Sequence, residues 1–157
     1  RISFVCHSFG SIVARVALSR PDLAPLRPML HTYVSFSGPH LGMLYTSNAL
    51  VEFGMWGLRQ LKGAKCLTEL SLCDAPDPRD SLLYRLSKAR SLALFTHLLL
   101  VSSSEDRYVP HHSARMQLCD EAVHDDRCST APCRTGLANC ARTSQQHVHG
   151  GISAHTC

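Results

Sequence analysis

Several features that mark membrane, nucleic-acid-binding and zinc proteins are missing from this chain of 157 residues. No stretch reaches the roughly 20 apolar residues of a membrane-spanning helix, and the best run, residues 92–101, is interrupted by Thr96 and His97. Lysine is scarce, at 3 against 13 arginines, and these basic residues are scattered, so the net charge of +4 does not indicate nucleic-acid binding. The cysteine spacings contain no Cys-x-x-Cys pair. The sequence therefore predicts no transmembrane segment, no nucleic-acid partner and no metal site.

Large apolar side chains are almost absent from the last part of the chain. Residues 124–157 contain one leucine, one valine, one isoleucine and no aromatic residue. Such a segment buries too little surface to offset its chain entropy. We therefore predict a folded core over residues 1–123 and a disordered or divergent tail over residues 124–157. Because the chain lacks an initial methionine and opens inside an apolar run, we expect it to be a fragment of a longer protein.

The remaining composition is that of a globular protein, with 45% hydrophobic and 18% charged residues. Four cysteines lie singly among apolar or helical segments, namely Cys6, Cys66, Cys73 and Cys119. That usage suits reduced thiols, so we predict an intracellular, cytoplasmic protein.

The most informative segment is Cys-His-Ser-Phe-Gly at residues 6–10, which follows an apolar run and precedes a helical pattern. This is the layout of a nucleophile elbow, in which a strand enters a tight turn with a strained serine, here Ser8, at its apex. The strand and the helix pass close together at this turn, so the residues two positions on either side of Ser8 must be small. Gly10 meets this demand fully, and Cys6 is small enough to be acceptable. A helix beginning after Ser8 would aim its amide dipoles at a developing oxyanion.

The spacing of apolar residues predicts a helix after the turn, ending at Arg20 because the next residue is proline. Its predicted buried stripe consists of Ile12, Val13, Val16 and Ala17. The residues predicted to lie off that stripe are Ser11, Arg15 and Ser19.

Two further segments, residues 31–36 and 94–101, are predicted as buried strands, and helical stretches separate them. Strands buried on both faces indicate a parallel sheet covered by helices, that is, an α/β fold. Ser81 is predicted to cap a short helix, and another helix is predicted from Pro110 to about Val123. Residues 49–61 form either a core helix or a cap over an acyl chain.

An acidic pair follows the last predicted strand. A serine hydroxyl becomes nucleophilic when a histidine takes its proton, and a carboxylate orients that histidine. Doubly wound hydrolases supply these groups in the order serine, acid, histidine, at the carboxyl ends of strands. Of Glu105 and Asp106, the second is the better candidate because it lies four residues before Pro110 in an Asp-x-x-Val-Pro pattern.

The motifs now in view resemble a known family. The blocks are Cys-His-Ser-Phe-Gly at 6–10, Ser-Gly-Pro-His-Leu-Gly at 37–42, Asp-Pro-Arg at 77–79 and Asp-Arg-Tyr-Val-Pro-His-His-Ser-Ala-Arg at 106–115. Together they resemble the lipase-like serine esterase domain at the C-terminus of the "family with sequence similarity 135" proteins. The resemblance implies an α/β-hydrolase fold, esterase or lipase activity and a role in cellular lipid metabolism. It further implies Ser8 as nucleophile, Asp106 as triad acid, Phe9 as a backbone oxyanion donor, an ester substrate such as a lipid, and no cofactor.

The chain departs from that pattern at Cys6, where the family has glycine, and after Asp106, where the family's last strand and histidine have no counterpart. His124, His147, His149 and His155 follow the acid, but none follows a predicted strand. His40 is assigned a structural or pocket-wall role, and strand alternation points His7 away from Ser8. We therefore expect an incomplete hydrolase domain without an identifiable catalytic histidine. The alternatives are a non-catalytic binding module on the hydrolase scaffold and a truncated product without activity.

Overall fold

The computed structural model describes residues 1–43 and 65–117. The strands are β1 (Ile2–His7), β2 (Leu30–Phe36) and β3 (His97–Val101). The α-helices are α1 (Gly10–Ser19), α2 (Lys65–Leu70), α3 (Leu82–Lys88) and α4 (His111–Ala114). Three segments are 3-10 helical, namely Pro21–Met29, Pro78–Asp80 and Ser91–Leu94.

The three strands form one parallel sheet in the order β1-β2-β3. In the register of this sheet, Val34 lies opposite Val5 on one side and Leu99 on the other. Parallel strands need crossover connections, which here contain the helices. The predicted α/β fold is confirmed, and all three strands present their carboxyl ends at the same edge.

The helix-covered face of the sheet is packed by two apolar clusters. One, at the carboxyl edge, contains Ile12, Leu41, Met43, Leu70, Leu72, Leu83, Leu86, Val109 and Ala114. The other contains Leu18, Leu30, Tyr33, Leu92, Phe95, Leu98, Leu100 and Met116. Helix α1 contributes to both, through Ile12 near its start and Leu18 near its end, and so anchors the turn that precedes it.

The opposite face of the sheet is open within the described residues. Side chains of β1 alternate between half-buried and exposed, with Val5 75% exposed, and Phe36 of β2 is 43% exposed. The prediction that these strands are buried on both faces is therefore wrong for the part of the chain described, where helices cover one face only.

Helix α1 ends where the Arg20–Pro21 pair predicted, but it buries a different face. Its buried residues are Ser11, Ile12, Arg15 and Leu18, whereas Val13 is 54% exposed and Val16 is 36% exposed. The predicted stripe is confirmed at Ile12 and wrong at Val13 and Val16. Ser11 and Arg15 are buried because they find polar partners in the interior.

Of three local predictions, the helix cap is confirmed and two element bounds are wrong. Ser81 caps α3, since its hydroxyl oxygen accepts the Tyr84 N–H at 3.4 Å. Strand β3 begins at His97 rather than residue 94, because 91–94 form a 3-10 turn. The helix after Pro110 ends at Ala114 rather than about 123, since Met116 adopts a left-handed backbone (φ 54°) that closes the helix.

Several predictions fall outside the described residues. These are the proposed cap over 49–61, the domain boundary after 123, the tail over 124–157 and the histidines within it. Among the helices that the structure describes, none has the length and apolar character to cross a bilayer.

Candidate active site

Ser8 occupies the turn between β1 and α1 with a left-handed backbone, φ +52°. Its N–H donates to the carbonyl of Phe36 at 2.8 Å, and its carbonyl accepts the Ser11 N–H at 3.0 Å. A left-handed conformation costs a non-glycine residue about 1–2 kcal/mol. Such strain persists only where the surroundings hold it and is concentrated at functional sites.

The sequence predicted that crowding requires small residues on both sides of this turn, and the structure differs from that prediction at Gly10. A Cβ atom placed on Gly10 has no neighbour within 4 Å among the described residues, so crowding by that part of the chain does not require glycine at this position. Cys6 is half-buried and packs against the cluster beneath the sheet. Burial raises the pKa of the Cys6 thiol, against a smaller lowering by Tyr33, so this cysteine is protonated at neutral pH and does not compete with Ser8 as a nucleophile.

The backbone N–H of Phe9 lies directly after Ser8, one residue before the helix begins at Gly10. Phe9 is the N-cap residue of α1, and its carbonyl accepts from Ile12 at 2.9 Å and Val13 at 3.1 Å. Within residues 1–43 and 65–117 its N–H has no hydrogen-bond partner. It is one of the donors that a helix start leaves unsatisfied, which suits an anionic oxygen.

The end of β2 repeats the geometry at the end of β1. Ser37 also has a positive φ, +47°, and its N–H donates to the carbonyl of Val101, the last residue of β3, at 2.9 Å. The Ser8 N–H makes the equivalent bond to Phe36, the last residue of β2. These two bonds connect the carboxyl ends of all three strands.

Asp106 lies in the loop after β3 with its carboxylate held by several donors. Its Oδ1 accepts the N–H groups of Tyr108 at 2.9 Å and Val109 at 3.0 Å. Partial burial alone would raise the pKa of Asp106, but hydrogen bonds from the Ser37 hydroxyl and these two amides outweigh it and lower the pKa. By contrast, Glu105 is exposed. Of the two acids, Asp106 is thus the one whose carboxylate is held in place by hydrogen bonds, and its role as triad acid stays a prediction.

Ser8 and Asp106 lie at the same edge of the sheet, with β2 between the strands that precede them. Two interstrand spacings of about 4.8 Å place these strands about 10 Å apart. In a serine hydrolase triad an imidazole ring lies between the hydroxyl and the carboxylate. The two groups must therefore come from turns at one sheet edge, as the turns after β1 and β3 do here.

The histidine of such a triad is not supplied by His40, which is fully buried and bonded to Ser35 and Arg15. His7 is exposed, and its charge makes a small contribution to the lowered pKa of Asp106. Within the described residues no histidine ring is hydrogen-bonded to the Ser8 hydroxyl. Nor does that part of the chain contain a group of three or more His, Cys, Asp or Glu side chains placed to hold a metal ion.

Residues 1–121 match the protein family described as "Putative serine esterase (DUF676)". The chain belongs to this family. The match includes the Ser8 turn, the 37–42 loop and Asp106, so it spans the whole candidate site. No solved structure matches the chain significantly. Family membership confirms the general prediction of an esterase-like protein, and assignment to the "family with sequence similarity 135" group stays a prediction.

The sequence did not reveal which residues hold the loops of the candidate site in place. Ser37 was noted only as part of a motif, yet its N–H bonds to the carbonyl of Val101 at 2.9 Å and connects β2 to the strand that precedes Asp106. Arg15 was placed on the outer face of its helix, yet it is 2% exposed and bonds to the carbonyls of His40 and Leu86. The Ser-Gly-Pro-His-Leu-Gly block was the signal for these contacts, because a polar, glycine-containing loop after a buried strand is costly unless its polar groups are satisfied.

Proposed function

We propose that the protein is a serine esterase in which Ser8 attacks the acyl carbonyl of an ester. A histidine takes the hydroxyl proton as the new C–O bond forms and returns it to the leaving alcohol, and Asp106 orients that histidine. The carbonyl oxygen becomes an oxyanion that accepts from the Phe9 N–H. Water then hydrolyses the acyl-enzyme by the same proton transfers, and no cofactor is required.

The observation that supports this proposal most directly is the strained backbone of Ser8. A left-handed serine between a parallel strand and a helix is the geometry of a nucleophile elbow. The unbonded Phe9 N–H beside it and the ionised carboxylate two strands away provide the accompanying groups. Strain alone would be weak support, but here it coincides with both of these groups at one sheet edge.

We propose a lipid or related carboxylic ester as substrate and a role in cellular lipid metabolism, in a cytoplasmic compartment. This part of the proposal is supported by the resemblance to the "family with sequence similarity 135" esterase domain and by the esterase description of the matched family.

Labelling with a serine-directed fluorophosphonate tests the nucleophile. We expect the full-length natural protein to be labelled and Ser8→Ala to abolish labelling. The matched control is Ser3→Ala, which removes an exposed serine hydroxyl from β1, the strand that precedes Ser8. This variant should be labelled as strongly as the wild type. We expect the 157-residue chain by itself to be labelled weakly or not at all, because none of the histidines after Asp106 follows a predicted strand. Unchanged labelling of Ser8→Ala would refute the assignment.

The second candidate function is a non-catalytic binding module on the hydrolase scaffold. The observation that favours it is that, in the part of the chain described, no histidine ring bonds to the Ser8 hydroxyl. If the full-length protein binds a long-chain ester without hydrolysing it and resists fluorophosphonate, this alternative replaces the esterase proposal.

A further inference from the structure

A buried polar network that the esterase chemistry does not use connects α1, β2 and the segment that directly follows β2. Its central residue is His40, which is 0% exposed. The Nε2 atom of His40 lies 2.9 Å from the Ser35 hydroxyl oxygen, which in turn lies 2.8 Å from the Ser11 hydroxyl oxygen. On the other side of the ring, Arg15 Nη1 donates to Nδ1 at 3.3 Å and to the His40 carbonyl at 3.3 Å.

The arrangement determines the tautomer of the His40 ring. A guanidinium only donates hydrogen bonds, so Nδ1, which faces Arg15, must be an unprotonated acceptor. Burial, and secondarily the charge of Arg15, hold the pKa of His40 well below its usual value, which keeps the ring neutral. The single ring proton is therefore on Nε2 and is donated to Ser35. The ring has one donor and one acceptor, and each has a partner.

The network connects to the candidate nucleophile through α1. Ser11, at the far end of the chain of hydroxyls, donates its backbone N–H to the carbonyl of Ser8 at 3.0 Å. Tyr33 also donates its hydroxyl to the Ser11 carbonyl at 2.8 Å. Ser11 is thus held from two strand positions while it forms the first bond that closes the Ser8 turn.

The same loop also connects to the candidate acid. Ser35 precedes Ser37 by two residues, and the Ser37 N–H bonds to the carbonyl of Val101, the last residue of the strand that leads to Asp106. Further along, Ser113 of α4 accepts the Leu41 N–H at 3.1 Å and donates to the Gly42 carbonyl at 2.6 Å. Helix α4 follows the Asp106 loop directly. The 37–43 segment therefore links the serine turn on one side to the acid loop on the other.

The polar atoms of the network pack tightly against the backbone at Gly38. A Cβ atom on Gly38 would lie 2.4 Å from the Ser35 hydroxyl oxygen and 2.7 Å from His40 Nε2, both far inside contact distance. Glycine at position 38 is required because the polar atoms of the network occupy the space of a side chain. Tight packing of this kind transmits a displacement of the ring to its neighbours rather than absorbing it.

From these contacts we propose that His40 is a positioning residue that sets the spacing of Ser8 and Asp106 through Ser35 and Ser11. The proposal rests on the proposed esterase function. It assigns His40 no contact with substrate and no proton transfer in the reaction. A shift of about 1 Å at a reacting group costs about 100-fold in rate, so loss of the network should lower turnover without weakening substrate binding.

The test compares two replacements of His40 in the full-length protein, with p-nitrophenyl butyrate as substrate. His40→Leu removes both ring nitrogens, and we expect kcat to fall about 10- to 100-fold with KM unchanged. His40→Gln retains an oxygen that can accept from Arg15 and an amide that can donate to Ser35, and it should restore most of kcat. The rate of fluorophosphonate inactivation should follow kcat in both variants, because that rate reports on Ser8 directly.

The control separates positioning from stability. Leu30→Ala removes a buried side chain, 6% exposed, at the opposite end of β2, and should lower the unfolding midpoint while leaving kcat unchanged. If His40→Leu behaves in the same way, losing stability but keeping kcat, His40 is only structural and the proposal is overturned. If His40→Leu does not fold, Ser35→Ala replaces it, and an unchanged kcat in that variant has the same meaning.

Failure of the esterase proposal itself would give a different result. If Ser8→Ala hydrolyses the ester as fast as the wild type, the esterase proposal and the positioning role both fall. If hydrolysis depends on Ser8 but not on His40, the positioning role alone is refuted.

Discussion

Replacement of Gly42 by alanine should destabilise the protein strongly, whereas the same replacement at Gly10 should not. Gly42 has φ +84°, a conformation that side chains disfavour. A Cβ atom there would lie 2.4 Å from the Leu70 carbonyl oxygen and 2.9 Å from a methyl carbon of Leu72. At Gly10 the same atom meets open space, and the backbone is helical.

The expected cost at Gly42 has two parts. The left-handed backbone costs alanine about 1–2 kcal/mol, and forcing a methyl group against a backbone carbonyl costs about 1–3 kcal/mol more. Their sum, about 2–5 kcal/mol, is a large share of the 5–15 kcal/mol typical of a domain. Gly10→Ala should instead be neutral or stabilising by up to about 1 kcal/mol, because alanine favours the helix.

Urea unfolding of the 157-residue chain, followed by circular dichroism, measures both changes. The midpoint should fall for Gly42→Ala and hold or rise for Gly10→Ala, with similar slopes. Gly10→Ala in the full-length protein should also retain fluorophosphonate labelling. Equal stability of the two variants would refute the steric account of Gly42. Loss of labelling in Gly10→Ala would show that glycine is needed at the turn for a reason other than space.

Asp106→Asn should slow ester hydrolysis by about 10³- to 10⁴-fold, as loss of a triad carboxylate does. The control, Glu105→Gln at the exposed neighbour, should leave the rate of hydrolysis unchanged. If both variants have the same rate in a kinetic assay, Asp106 is not the triad acid. The pH dependence of stability tests the neutral state of His40, whose pKa lies well below its usual 6.5. Because the unfolded ring gains a proton before the folded ring does, its contribution is fully present above about pH 6.5 and declines below it by up to about 1.4 kcal/mol per pH unit. His40→Gln should reduce the pH dependence of the free energy of unfolding between about pH 6.5 and 5 by that amount per pH unit. If urea titrations give the same pH dependence for the variant and the wild type, the folded ring is protonated in this range.

The order of strands and helices, and the groups at the sheet edge, were predictable from local patterns. An apolar run before the Ser8 turn and helical spacing after it indicated the strand–turn–helix, and the parallel sheet followed from buried strands separated by helices. Asp106 was preferred to Glu105 from the position of Pro110 alone. These features depend on residues close together in sequence, where periodicity and turn chemistry are the governing physics.

The face that α1 buries was decided only in the tertiary structure. Hydropathy favoured Val13 and Val16, but Ser11 and Arg15 are buried instead because their partners come from elsewhere. Ser35 lies 24 residues from Ser11, and the His40 and Leu86 groups bonded to Arg15 lie 25 and 71 residues away. A polar side chain is buried when its hydrogen bonds are satisfied, and local sequence cannot report a partner so distant. The α/β order of strands and helices therefore follows from local sequence patterns, whereas the support of the sheet edge depends on hydrogen bonds around His40 between residues far apart in the chain.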